Sequence, residues 1–276
     1  EEPAEQDASA DGEGDAVDDD EESAEEAGAR QVVGGLGFVG LVSSRWSRLW
    51  PGFTEVGMAF AGLIVGWLVA GSVFSAFGSG PWSLVLGPII TGVAALFYAK
   101  VGPRWARAAD GRDDDEPEPT HDLPRASFLR TLLVVINGIA FAIGGSILLG
   151  WLLEAVGLSV QEQGTVLDVV ERSGGGLSTE AMTLAVSALL LAPVAEEWLF
   201  RGLLFRRVAA RSGRVVAYTL TALGFAALHV NPTGIFIYAW LGLVFAAVYE
   251  RTGWLGAAIA VHMGNNAFVL GVLFYG

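Results

Sequence analysis

Between Glu196 and Arg201 the sequence sets two adjacent carboxylates and one guanidinium into the stretch Ala192-Pro193-Val194-Ala195-Glu196-Glu197-Trp198-Leu199-Phe200-Arg201-Gly202-Leu203-Leu204-Phe205, which is otherwise apolar. The residues before it, Met182 to Leu191, are nearly all aliphatic. The charges therefore belong within or at the edge of a membrane-spanning helix. Each costs roughly 2.5–3.5 kcal/mol there on insertion scales, and such groups face a protein interior or a wet cavity. Glu197 and Arg201 are four apart, so they share a helical face and an ion pair lowers the cost of both. Glu196 is turned roughly 100° away from Glu197 and is the carboxylate left for a pocket. Pro193 has no N–H, so in a regular helix the Leu189 carbonyl loses its partner and a kink or local opening is expected.

The chain has three histidines. His121 lies in a polar loop and receives no role. His229 closes the run Phe225-Ala226-Ala227-Leu228-His229, and His262 opens His262-Met263-Gly264-Asn265-Asn266. His262 and Asn266, four apart, share a helical face. Two glutamates, two histidines and an amide thus fall on three apolar segments. Polar side chains also hold membrane helices together, and each group alone has that structural explanation. Jointly they suit hydrolysis: Glu196 takes a proton from water, His229 positions and polarises that water, and His262 and Asn266 donate to a tetrahedral oxyanion. No Ser or Cys nucleophile is required, and the chain has no cysteine. Two His and a Glu are also a legitimate zinc set, but the compact HExxH spacing is absent. The reading is therefore metal-independent and cofactor-free, with zinc hydrolysis and a non-catalytic scaffold for peptide binding or immunity as alternatives.

What must position these groups is a membrane bundle. With 53% hydrophobic residues and a mean hydropathy of +0.50, the chain reads as polytopic rather than soluble. The net charge of -14 is local, because 14 of the 30 acidic residues fall in residues 1–30 and Arg30 is the only base there. That segment, without aromatics, reads as a disordered acidic tail, and it lacks the form of a secretory signal. The body is nearly neutral, so nothing points to nucleic acid. Residues 31–55, with Arg45, Trp46, Arg48, Trp50 and Phe53, read as an interfacial segment. Apolar runs predict about seven spans, near 56–77, 82–100, 129–156, 179–206, 215–230, 234–249 and 254–275. They are separated by Gly78-Ser79-Gly80-Pro81, a polar loop over 101–127 with Asp113-Asp114-Asp115-Glu116-Pro117-Glu118-Pro119, and a loop over 157–178. The fold class is all-α: a transmembrane bundle with N-terminal helices and loops over 56–178 and a catalytic core over 179–276. With seven spans, every basic loop but the one holding Arg172 falls on one side. The positive-inside rule then sets the N-terminus in the cytoplasm and the C-terminus outside the cell membrane.

At the polar positions the sequence resembles the CPBP family of intramembrane proteases, which includes type II CAAX prenyl endopeptidases and bacteriocin-immunity-type proteins. The family pattern EExxxR, FxxxH, HxxxN stands here as Glu196 to Arg201, Phe225 to His229 and His262 to Asn266, within about residues 180–270. The segment Tyr249 to Ala260 also looks like the family's approach to its last motif. The resemblance implies a glutamate-dependent endopeptidase acting on a membrane-anchored, possibly prenylated CAAX-type, protein in the lipid bilayer. In it Glu196 and His229 activate water, His262 and Asn266 form the oxyanion site, and Glu197, Arg201 and Phe225 support the site.

Overall fold

In hydrocarbon a backbone N–H or C=O has no water to bond, so an apolar chain without barrel strands must satisfy them within helices. The computed structural model describes residues 19–77, 80–111, 121–161, 163–174, 176 and 178–276, and in the first helix side chains only from Trp46 onward, Arg48 excepted. Among these residues there is helix and no strand. In order the elements are α1 (Asp19–Phe77), a 3-10 turn (Pro81–Val85), α2 (Leu86–Asp110), α3 (Phe128–Ala155) and α4 (Gly164–Ser173). One long rod follows, comprising α5 (Thr179–Val186), a π segment (Ser187–Leu191), α6 (Ala192–Glu197), a second π segment (Trp198–Phe205) and α7 (Arg206–Ser212). Then come α8 (Arg214–Leu228), α9 (Ile235–Thr252) and α10 (Leu255–Tyr275).

Among the described residues six stretches are long and apolar enough to cross a membrane: Leu49–Ala76, Pro81–Asp110, Phe128–Ala155, Thr179–Ser212, Ile235–Thr252 and Leu255–Tyr275. The protein is an integral membrane protein. The expected fifth span is the 15-residue α8, about 22 Å long at 1.5 Å per residue, short of a hydrocarbon core of roughly 30 Å. The chain divides into two units, Glu1–Ser47 and Arg48–Gly276, and the candidate site lies wholly in the second. Much of the tail expected to be disordered, residues 1–18, lies outside the described residues, as does Asp113 to Pro119; from Asp19 the backbone is helical.

In the second unit α9 is the central helix, packed on α8, α3 and α10. Phe200, Phe205, Phe225, Phe245 and Val261 fill the core between the rod and these helices. α8 and α9 approach closely at Gly242, where a Cβ would lie 2.8 Å from the Ala222 Cα. The turn from α9 to α10 needs Gly253, with φ +65, and a Cβ there would stand 2.6 Å from the Pro124 carbonyl oxygen.

Two sequence expectations shift. The rod does not end at Arg206-Arg207 but continues through α7 to Ser212, and the first span begins before Glu55, not after it. Both changes have one cause. Glu55 of α1 is buried, and Arg207 and Arg211 turn inward to meet it at 3.8 and 3.4 Å. Tyr98 of α2 donates its hydroxyl to Glu55, the Arg207 guanidinium lies 5.0 Å over the Tyr98 ring, and Arg211 reaches Asp110 at 2.8 Å. Charges read as loop residues thus bind α1 and α2 to the rod. Removing one partner of a buried ion cluster leaves the other uncompensated, at about 3–5 kcal/mol. Glu55→Ala should lose that much stability, read as a lower detergent-solubilised unfolding temperature; an unchanged temperature would show that the cluster holds nothing together.

Candidate active site

The rod is α-helical at Glu196 and Glu197 but wound more widely on both sides. In the first π segment the Ala192 N–H donates to the Ser187 carbonyl, five residues back. An α-helix would have given that N–H to Ala188. In π register the Ala188 carbonyl should receive the N–H of residue 193, and Pro193 has none. The orphan carbonyl is therefore Ala188, not Leu189 as a regular helix would have it. Asn266 of α10 supplies the missing donor, its Nδ2 lying 2.8 Å from the Ala188 oxygen. π insertions of this kind recur at functional sites.

Glu197 and Arg201 form the expected pair at 2.9 Å, and neither side chain has any solvent exposure. The second arm of the guanidinium, Nη2, donates to the Gly242 carbonyl of α9 at 2.7 Å. Phe225, Phe245 and Phe200 surround the cation, with Arg201 Cζ 4.9, 5.4 and 5.8 Å from the ring centroids. Rings at these distances favour a desolvated cation through their negative faces. The same Glu197 oxygen that meets Arg201 lies 3.0 Å from His262 Nδ1. A carboxylate only accepts, so His262 carries a proton on Nδ1 and presents Nε2 on its other edge.

His262 Nε2 is 4.0 Å from Glu196 Oε2, beyond a direct hydrogen bond. Glu196 Oε2 is itself buried with no hydrogen-bond partner among the described residues. Glu197 Oε1 thus meets both Arg201 and His262, whereas Glu196 meets neither within hydrogen-bond distance. His229, the C-terminal cap of α8, donates Nδ1–H to its own turn at the Phe225 carbonyl, 2.9 Å away, which leaves its Nε2 as an acceptor. Its ring stacks on Tyr238 at 4.0 Å and lies within electrostatic range of Glu196, His262 and Arg201. Phe225 fills the space between the imidazoles, 4.7 Å from His229 and 5.6 Å from His262 between ring centroids, while Phe245 stacks on His262 at 4.6 Å.

Glu196, Glu197, Arg201, Phe225, His229 and His262 thus meet in one region. Asn266 sits one turn along α10 from His262, with one amide hydrogen given to Ala188. Sequence reasoning missed four participants. Tyr238, Phe245 and the Gly242 carbonyl carry no polar signature that separates them from packing residues. Asn265 is buried beside Asn266, its Nδ2 3.4 Å from the Asn266 Oδ1, and the paired amides in the sequence were its signal. His121 lies elsewhere, 3.9 Å from Glu250. Among the described residues no group of three His, Cys, Asp or Glu side chains is arranged to hold a metal ion.

Residues 178–268 match the family model for Rce1-like type II CAAX prenyl endopeptidases. Over 87 residues, 29% of this chain, the sequence is 32% identical to the membrane-embedded CAAX protease MroQ of Staphylococcus aureus (strain USA300). That alignment covers 35% of the relative, so the chain spans about a third of the length of the curated protein it matches. No solved structure matches the chain.

The Asn266 bond has a structural consequence separable from any chemistry. Asn266→Ala should leave the Ala188 carbonyl without a partner and cost about 1–3 kcal/mol, the penalty for a buried unsatisfied polar group. Thermal unfolding of the purified variant checks it; wild-type stability would mean that the π segment does not rely on α10.

Proposed function

We propose that this integral membrane protein, whose residues 178–268 form a domain of the CPBP protease family, is a glutamate-dependent, metal-independent endopeptidase that hydrolyses a peptide bond of a membrane-anchored protein. The observation that carries this reading is the position of His262, bonded to Glu197 through Nδ1 at 3.0 Å and facing Glu196 with Nε2 at 4.0 Å. Two motifs on two helices, the rod and α10, are needed to make that arrangement.

In the proposed reaction a water between Glu196 and His229 gives a proton to Glu196 and directs its second hydrogen to the His229 Nε2 lone pair. The water oxygen bonds to the scissile carbonyl carbon, and negative charge develops on the carbonyl oxygen. Collapse of the tetrahedral species breaks the C–N bond, and the proton held by Glu196 passes to the leaving amine. The oxyanion needs donors. Asn266 has a second amide hydrogen beyond the one given to Ala188. His262 donates from Nε2 only as the imidazolium, because Nδ1–H is directed at Glu197.

A prenylated CAAX-type substrate is part of the proposal, and the similarity to the CAAX protease MroQ supports it. So is the orientation with the basic loops and N-terminus in the cytoplasm, which requires α8 to cross.

The test is cleavage of a membrane-anchored peptide by the purified chain and its variants, with and without a chelator. Glu196→Gln should lower the rate by about 10²–10⁴, the range of general acid–base contributions, with unfolding unchanged. His262→Ala should lose about 10²–10³, as for an oxyanion donor, and chelator should have no effect. Chelator-sensitive cleavage would transfer the same residues to a zinc mechanism. Wild-type turnover in Glu196→Gln would remove the proposed base, and a wild-type chain inactive on every membrane-anchored peptide would favour a non-catalytic scaffold.

A further inference from the structure

The rod has an outward face that the proposed chemistry does not use. Trp198, Gly202 and Arg206, spaced by four, line a cleft of about 560 Å³ together with Arg125, Leu203, Tyr249 and Trp254. Below it, Leu190, Leu191, Val194, Ala195 and again Trp198 form a second cleft of about 490 Å³ against Pro88, Ile89 and Gly92 of α2. Trp198 is a wall of both.

The two clefts differ in chemistry along the rod. The second is lined by apolar side chains and glycine alone, and Ile89, Leu190 and Val194 are exposed. The first gathers two guanidiniums at the end of the bundle where α3 and α10 begin and α9 ends. Arg206 holds Asp122 at 2.9 Å. Arg125 lies 5.0 Å over the Trp254 ring and is in ion-pair contact with no carboxylate among the described residues. From Leu190 to Arg206 the stripe runs about 24 Å at 1.5 Å per residue, deeper than one leaflet of a hydrocarbon core of roughly 30 Å. Its dimensions and polarity are those of an amphiphile with an anionic head and a hydrocarbon chain.

We propose that these adjoining clefts bind an anionic phospholipid, the phosphate at Arg125 and Arg206 and an acyl chain along Val194, Trp198 and Ile89. The position argues for lipid over substrate. Glu196, Glu197 and Arg201 are buried in the bundle, while Val194 is exposed and Trp198 and Gly202 are half-buried on the surface where the clefts open. A bound lipid braces α2, the rod and the start of α10 from outside. Basic pockets between membrane helices are recognised sites for anionic head groups.

The test is lipid retention by the full chain in mild detergent, titrated with phosphatidylglycerol or phosphatidylcholine and read by native mass spectrometry. Wild type should retain phosphatidylglycerol about fivefold more than phosphatidylcholine, the preference expected for one basic residue near a membrane surface. Arg125→Gln should bring the ratio near one, whereas Arg130→Gln, an exposed arginine outside the cleft, should keep it. Arg125 is exposed on an extended segment, so its loss leaves the core intact. Equal retention of the two lipids by wild type, undiminished preference in Arg125→Gln, or equal loss in Arg130→Gln would each overturn the site. Displacement of the lipid by inorganic phosphate alone would make it a plain anion site, and displacement by a membrane-anchored peptide would assign it to substrate; either refutes a lipid site. Because the readout is binding, the result stands apart from whether the protein is a protease.

Discussion

A guanidinium with no solvent exposure, inside a bundle meant for hydrocarbon, is the constraint from which the site's architecture follows. Arg201 is held by Glu197 on its own helix, by the Gly242 carbonyl from α9, and by aromatic rings from the rod, α8 and α9. Each contact imposes a packing requirement. The Gly242 carbonyl is available to Arg201 on a stretch of α9 that packs closely on α8. Phe225 must point inward, and the next inward turn of α8 then brings His229 to the same depth. Neutralising one charge at membrane depth therefore draws three helices together, and the chemistry-bearing side chains come with them.

The consequence is a division of labour between adjacent carboxylates. Glu197 meets a cation and an imidazole through its Oε1, so its charge is committed to holding Arg201 and orienting His262. Glu196 lies one residue away and escapes that commitment because a helical step turns it off the Arg201 face. Had both carboxylates met the guanidinium, neither would be available to a water. The π segments on either side of α6 belong to the same logic. They alter the rod's winding immediately before and after the two glutamates, and the carbonyl freed by the first segment is the one that fastens Asn266 of α10 to the rod.

Much of this was legible in the sequence because charge in an apolar segment is a loud signal. Glu197 and Arg201 could be paired from their spacing, and Glu196 could be singled out by elimination. The all-helical membrane fold followed from hydropathy. Less legible were features that depend on tertiary register. Arg207 and Arg211 read as loop cations because a basic run usually marks a span's end, whereas Glu55, on a helix far away in sequence, draws them into the bundle. Pro193 announced a broken hydrogen bond but not which one: the orphan moved from Leu189 to Ala188 because the rod entered π register, a choice that propensity does not encode. α8 was legible as an apolar run, but its length falls short of a full crossing. Tyr238 and Phe245, which flank the two imidazoles, are indistinguishable from core residues until the helices are packed.

The second buried charge cluster clarifies why the first one is the candidate for the proposed catalysis. Glu55 meets two arginines and a tyrosine hydroxyl, groups that remain protonated across the ordinary pH range. Such a cluster has no member able to exchange a proton, and its burial between α1, α2 and the rod makes it a clasp. Around Glu196 the nearby titratable partners are histidines, whose ordinary pKa falls near neutrality. Both clusters balance charge at membrane depth, but only the one around Glu196 contains histidines, the side-chain type whose ordinary pKa lies near neutrality. Burial of ionisable residues is thus an insufficient sign of function in a membrane bundle. The informative feature is a buried carboxylate whose neighbours can themselves change charge, and in the described residues Glu196, between His229 and His262, meets that criterion.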